Sequence, residues 1–142
     1  ADEIDGNNNL IKGGGAALLL EKIVAYNSKN YVIVADESKS VNTLGTKFPL
    51  PVEIIGAARL SIENELKKIG ASCVLREGTR KCGPVITDNG NQVIDCTWNN
   101  PVNPMELEDY IKKIPGVVEV GFFTKLKPIA FISHSDGVVE IR

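Results

Sequence analysis

The segment GGGAALLLEKIVAYNSKNYVIVAD, Gly13 to Asp36, passes from a glycine triplet through a helical pattern into a β-branched run. Its two periods decide the fold class. Ala16 to Ser28 places Leu19, Leu20, Ile23, Val24 and Tyr26 within one arc at about 100° per residue, which predicts an amphipathic helix. Asn30 ends it. YVIVAD, Tyr31 to Asp36, is a run of the kind buried on both faces of a parallel sheet. Loop, helix and strand in that order indicate an α/β architecture.

Downstream, Gly45 to Pro51 contains two prolines and a glycine, and a boundary is expected near Phe48. A second helix is expected over Ala57 to Ile69, with Lys67 and Lys68 in its last turn and Gly70 at its stop. SCVLR reads as a short strand. PVITDNGNQVIDC reads as two strands joined at Asn89-Gly90, a dipeptide that accepts positive φ at both centre positions of a tight turn. Asn103 with Glu106 resembles a capping box, Pro104 suits the first helical position, and Pro115-Gly116 closes that helix before the strand VVEVGFF. Counted from Pro51, the order strand, helix, strand, strand, helix, strand is the ferredoxin-like split βαβ plan. PIAFIS and GVVEIR form a terminal hairpin expected to return to the first sheet. The expected division is residues 1–47, α/β; 48–124, ferredoxin-like α+β; and 125–142, the returning hairpin.

Composition narrows the function classes. At 142 residues and 43% hydrophobic, the chain can bury a core, and 16 Lys and Arg against 18 Asp and Glu leave a net charge of −2. Such a balance offers no field for nucleic acid or an anionic membrane, so neither is an expected partner. No apolar run approaches the roughly 20 residues that span a bilayer, and ADEID is acidic where a signal peptide is basic. Either the protein is cytosolic or its signal has been removed, and a cytoplasmic location is the expected one. Cys73, Cys82 and Cys96 are odd in number and lack C-x-x-C spacing, which points to reduced thiols rather than a disulfide framework or a zinc site.

Nucleotide signatures are missing. There is no G-x-x-x-x-G-K-[ST], and Gly13, Gly14 and Gly15 fail the G-x-G-x-x-G spacing. His134 reads as a solvated loop residue. Chemistry then falls to carboxylates, lysines and backbone amides. Asp2, Glu3 and Asp5 precede the loop, Lys12 abuts the glycines, and Glu21 lies in the helix at the margin of the apolar arc beside Ala17. Glycines let a substrate approach the main chain, and free N–H groups at a helix start favour a negative oxygen. Glu21 is a candidate base; the competing reading is a surface glutamate with Lys22 as an equally ordinary neighbour. Lys39 in VADESK follows the C-terminal end of a strand, where open α/β sheets bind ligands.

The motifs ADEID, NLIKGGGAALLLEK, VADESK, LGTKFPLPVE, GPVITDNGNQVID, IPGVVEVGFF and SDGV occur in the order found in type A ribose-5-phosphate isomerases, and the chain resembles that family over essentially its whole length. The resemblance implies a partial doubly wound, Rossmann-like α/β sheet with an inserted ferredoxin-like α+β domain. It implies an aldose-ketose isomerase of the pentose phosphate pathway that interconverts ribose 5-phosphate and ribulose 5-phosphate, without metal or organic cofactor, as a homo-oligomer, dimer or tetramer. The family's proton-transferring glutamate falls on Glu21, its sugar-binding loop on Lys12, Gly13, Gly14 and Gly15, its aspartate on Asp2 with Ala1 before it, and its substrate lysine on Lys39.

The family motif has an aspartate and a glycine before that alanine, and further upstream a Thr-Gly-Ser-Thr-like phosphate loop. The resemblance therefore implies that this sequence corresponds to the carboxyl-terminal part of the enzyme, with little or no activity by itself. A non-catalytic ferredoxin-like oligomerisation or binding module is the alternative; such a module needs none of Lys12, Glu21 and Lys39.

Overall fold

In the computed structural model, which describes residues 1–80 and 82–142, the chain forms three sheets arranged around two apolar cores. The first residues depart from the expected loop. β1 (Glu3–Ile4) and β2 (Leu10–Ile11) form an antiparallel hairpin, closed by Asp5, whose carboxylate accepts the N–H groups of Asn7 and Asn9 and the Asn9 side-chain amide. Strands of two residues are too short to carry a period, so hydrophobic patterning could not find them.

Helix α1 (Leu18–Asn27) leads to β3 (Val32–Asp36), as the opening segment predicts. Its orientation does not follow the expected arc. Leu18, Lys22 and Ala25 face inward, while Leu20, Ile23 and Val24 are exposed, Val24 by 67%. The reason is electrostatic: the inward stripe carries a lysine, and that lysine has buried partners, so hydrophobicity alone chose the wrong face. β3 is likewise buried on one face only. Ile33 enters the core, whereas Val32 and Val34 are exposed, Val34 by 75%, because no described element covers that face.

The segment from Leu50 to Val120 makes an antiparallel sheet in the order β5-β6-β4-β7, built from β4 (Leu50–Ile54), β5 (Ala71–Leu75), β6 (Gln92–Trp98) and β7 (Val117–Val120). Helices α2 (Arg59–Lys68) and α3 (Pro104–Lys112) join its strands in the ferredoxin-like sequence. Every residue of β4 is buried, and Ile62, Leu66 and Ile111 of the helices complete one core with Val52, Ile54, Ile94 and Val120. Each such side chain contributes about 1.5–3 kcal/mol by leaving water. Asn103 caps α3 by accepting the N–H groups of Met105 and Glu106, and its side-chain amide, rather than its backbone, binds the Glu106 carboxylate.

PVIT, expected as the first strand of the hairpin, makes only isolated bridges, Pro84 with Glu77 and Ile86 with Gln92. Two further expected features are corrected. The tight turn with positive φ at both Asn89 and Gly90 is instead a longer one: only Gly90 has positive φ, +80°, with Gly90 N–H donating to Thr87 and Thr87 N–H to Asn91. Thr87, Asn89 and Asn91 all direct side-chain donors to one oxygen of the buried Glu53, and that convergence sets the turn. The second correction is VVEVGFF. It breaks at Gly121, so that β7 pairs with β4 while β8 (Phe122–Phe123) joins β2 in the first small sheet. At the break Gly121 donates to Pro51 and accepts from Lys12, and a Cβ there would sit 2.5 Å from the Lys12 carbonyl oxygen.

β9 (Ile129–Ser133) pairs in parallel with β3 and antiparallel with β10 (Val139–Ile141), so the last hairpin does return to the α/β sheet. The chain thus combines a three-stranded mixed sheet and its helix with a ferredoxin-like insertion, and β8 and the Lys12 segment meet where the two halves join.

Candidate active site

The hollow at that junction is built from main chain first. Lys12 follows β2, and its N–H donates to Gly121, so the β2 and β8 pairing fixes where the side chain starts. Its ammonium lies 2.9 Å from Oε1 of Glu21, the fourth residue of α1. Lys12 is nearly covered while the Glu21 carboxylate keeps about a third of its exposure, which leaves an approach for a ligand. Between them runs the glycine loop. Gly14 donates its N–H to Asp2 Oδ2 at 2.8 Å, and a Cβ on Gly14 would stand 2.6 Å from Asp2 Oδ1. A side chain at position 14 would push the Asp2 carboxylate from this place.

Ala1, Asp2, Lys12, Gly13, Gly14, Gly15, Ala17 and Glu21 together line a hollow of about 120 Å³. Seven of these are the positions singled out in the sequence, and Ala17 is the helical neighbour on which Glu21 was placed. Lys39 is not in the lining. It ends the short 3₁₀ turn Glu37–Lys39 beyond β3, where Asp36 caps the turn by accepting the Ser38 N–H. The start of α1 has no side-chain cap, so its first N–H groups are not taken by a capping residue. Tyr31 borders Glu21 on the outer side: its hydroxyl finds no partner among the described residues, and burial, reinforced by the Glu21 charge, pushes the phenol well above its ordinary range.

Two supports of the hollow were missed in the sequence. Lys22, read as an ordinary surface neighbour of Glu21, is 6% exposed. Its ammonium contacts Glu108 Oε1 at 3.0 Å, Glu119 Oε1 at 3.1 Å and the Val120 carbonyl at 2.6 Å, and lies 4.8 Å from the Phe123 ring centroid. Glu108 also accepts the Thr124 N–H, and Lys112 reaches Glu119, so each buried charge is answered. Burial alone would raise Glu119, but the Lys22 charge, the Val120 amide and Lys112 outweigh it and hold the carboxyl below its usual value. This cluster locks the rotation of α1 against the ferredoxin-like half, and that rotation turns Glu21 toward Lys12. A signal existed: positions 18, 22 and 25 form a helical stripe, which a lysine conceals. Arg76 is the other support, and its spacing from the loop in sequence gave no signal.

The family model described as ribose 5-phosphate isomerase A (phosphoriboisomerase A) matches residues 1–137. The chain belongs to the ribose 5-phosphate isomerase A family. Among ribose-5-phosphate isomerase A proteins, that of Treponema denticola is 58% identical over 142 residues, covering 99% of this chain and 59% of the relative, and that of Pyrococcus furiosus is 44% identical, covering 100% and 62%. Solved ribose 5-phosphate isomerases include one from Methanocaldococcus jannaschii at TM-score 0.93 and 46% identity, covering all of this chain and 62% of that one. A D-ribose-5-phosphate isomerase in complex with phospho-erythronic acid superposes at TM-score 0.95 with 42% identity, again covering 100% and 62%. The chain therefore spans about three fifths of the length of the relatives it matches.

Proposed function

We propose that this chain carries the proton-transfer half of a site that interconverts ribose 5-phosphate and ribulose 5-phosphate through an enediolate. The observation that carries the reading is the 2.9 Å Lys12–Glu21 pair set against the glycine loop and Asp2 in one hollow. A relative of the same family bound to phospho-erythronic acid, a four-carbon sugar acid phosphate, supports the class of ligand.

Glu21 takes the proton from C2 of the open-chain aldose. The C–H electron pair becomes the C1–C2 double bond, and the carbonyl π pair moves onto O1 as negative charge. Lys12 and the loop N–H groups answer that charge, which is where fixed positive ends contribute most to rate. Glu21 then returns its proton to C1 while the O2 hydroxyl proton passes to O1, leaving the carbonyl at C2. One carboxylate serves both transfers, and no external oxidant or reductant is consumed. Asp2, oriented by Gly14, hydrogen-bonds a sugar hydroxyl; Ala1 and the glycines form the floor. Lys39, outside the lining, is assigned to a more distant part of the substrate.

The reading extends to a cytoplasmic, homo-oligomeric enzyme of the pentose phosphate pathway. The test is isomerisation of ribose 5-phosphate by the full-length protein in deuterated water. Deuterium should enter the product at C1, and the rate should collapse on Glu21→Gln; absence of isomerisation in the unsubstituted protein would overturn the proposal.

A further inference from the structure

Arg76 belongs to the ferredoxin-like half, just beyond β5, yet its side chain ends on the glycine loop. Its backbone is fixed on both sides, the N–H donating to Val93 and the carbonyl accepting from Val85. Its guanidinium is fixed as well. Nε donates to Asp95 Oδ2 at 2.8 Å and Nη2 to Asp95 Oδ1 at 2.5 Å, a two-point pair with a residue of β6. Nη1 then donates to the carbonyls of Gly13 at 2.8 Å and Gly14 at 3.1 Å.

Those two carbonyls matter because of what lies at the other end of each peptide. A trans peptide points its C=O and N–H in opposite directions. The Gly13 carbonyl shares a peptide with the Gly14 N–H, which holds Asp2, and the Gly14 carbonyl shares one with the Gly15 N–H. The Gly15 N–H has no acceptor among the described residues, and Gly15 lines the hollow with Lys12 and Glu21. A loop of three glycines has little conformational preference of its own. An external cation on its carbonyl side both fixes the peptide planes and polarises them, strengthening the N–H groups as donors.

We infer that Arg76, held by Asp95, is the positioning residue of the glycine loop: by clamping the Gly13 and Gly14 carbonyls it aims the Gly15 N–H at the enediolate oxygen and, through the Gly14 N–H, holds the Asp2 carboxylate where it accepts from a sugar hydroxyl. Arg76 touches no substrate atom; it acts through the loop. Lysine cannot replace it, since a single ammonium does not grip Asp95 at two points and bridge two carbonyls. The inference rests on the isomerase reading and deepens it, because the two halves of the fold are then coupled through the site itself.

The test uses the full-length protein and the variants Arg76→Gln, Arg76→Lys and Asp95→Asn. Turnover, KM for ribose 5-phosphate, the affinity of phospho-erythronic acid, and amide hydrogen exchange at Gly14 and Gly15 are measured beside the melting curve. Turnover is expected to fall about 10- to 100-fold in both arginine variants, less than the roughly 10²- to 10³-fold of removing a donor outright because the N–H groups are loosened rather than lost, with KM moving less than about threefold. Asp95→Asn keeps the arginine charge and loosens its grip, so it should fall between. Phospho-erythronic acid should weaken in step with turnover, and Gly14 and Gly15 exchange should quicken. If Arg76→Gln does not fold, Asp95→Asn carries the same comparison. Turnover within twofold of the unsubstituted protein, or equal proportional losses in turnover and stability with unchanged glycine exchange, would overturn the inference while leaving an active parent enzyme. An inactive parent would instead overturn the isomerase reading, and unchanged glycine exchange would then remove the clamp as well.

Discussion

The Lys12 ammonium sits 2.9 Å from the Glu21 carboxylate although one follows a strand of the small first sheet and the other belongs to α1. A partly exposed pair of this kind contributes little to stability, about 0–1 kcal/mol, so its value lies in chemistry. In the full-length protein Glu21→Gln should preserve fold and KM while lowering turnover by about 10²-fold or more, the usual scale for a positioned acid-base group. Steady-state kinetics decide this, and near-normal turnover would remove Glu21 from the mechanism.

Lys22→Met should behave differently. Removing the ammonium leaves Glu108 and Glu119 buried with their main cation gone, and breaking one partner of such a cluster costs about 3–5 kcal/mol. Adding Glu108→Gln to Lys22→Met should recover part of the loss, since the orphaned charge is then removed. Urea denaturation measures both, and a double variant no more stable than the single one would count against the electrostatic account.

These two neighbours show how far the sequence could be read. The α/β order, the ferredoxin-like insertion and the hollow-lining residues Lys12 to Gly15 and Glu21 were all visible, because they rest on local periods and on glycines with a chemical neighbour. The orientation of α1 was not, since Lys22 looks polar until Glu108 and Glu119, 86 and 97 residues away, are brought to it. Arg76 and Gly121 were invisible for the same reason: each acts on the glycine loop or Lys12 across a long sequence separation. The turn at Gly90 was located correctly but misassigned in type, because three side chains converging on Glu53 outweigh the preference of the dipeptide alone.

Gly90 and Gly121 separate strain from collision. Gly90 has φ +80° with open space around it, so Gly90→Val should cost about 1–3 kcal/mol, through backbone strain, without touching activity. Gly121→Ala meets the Lys12 and Pro51 carbonyl oxygens at 2.5 and 2.9 Å, so it must move the backbone that carries Lys12. It should lose about 1–3 kcal/mol and turnover together. Thermal melts and kinetics on the two variants should show activity loss at Gly121 only.

His134 supplies a pH dependence. Its Nδ1 lies 3.0 Å from Glu37 and its Nε2 3.4 Å from Glu140, which Arg142 also engages. The hydrogen bond to Glu37, then that to Glu140 and the charges of both carboxylates, outweigh desolvation and raise the imidazole above its ordinary 6.5. A raised folded value means the contribution to stability is complete below about pH 6.5 and fades as pH rises through the folded value. Both carboxylates are held below their usual range, Glu37 chiefly by Ser135 and His134 and Glu140 chiefly by Arg142, so their share is present above about pH 4.5 and fades as pH falls through the lower folded values. NMR titration of His134 should give a midpoint above 6.5 that drops on Glu37→Gln; a midpoint unmoved by that change would exclude Glu37 as the cause.

The exposed apolar face of the α/β half gives the last prediction. Leu20 and Val24 of α1 and Val32 of β3 line one open hollow of about 540 Å³, and among the described residues β3 is paired on one edge alone, with β9. A strand in that position leaves alternate N–H groups without a ladder partner, and local opening is cheapest where few apolar contacts hold a segment. The other elements are better held: β2 lies between β1 and β8, and β4 and β6 are the inner strands of the ferredoxin-like sheet. In the 142-residue polypeptide, hydrogen exchange at Val93, Ile94, Val52 and Ile11 should therefore be slowest, while alternate amides of Val32 to Asp36 exchange at least about 10²-fold faster, equivalent to roughly 2.7 kcal/mol of lost protection. Amides in Leu18–Asn27 should lie between, because α1 is open on its Ile23 and Val24 side but pinned by Lys22. Uniformly slow exchange across β3 would mean that its outer edge and face are covered in solution, and would contradict the exposure of Val32 and Val34.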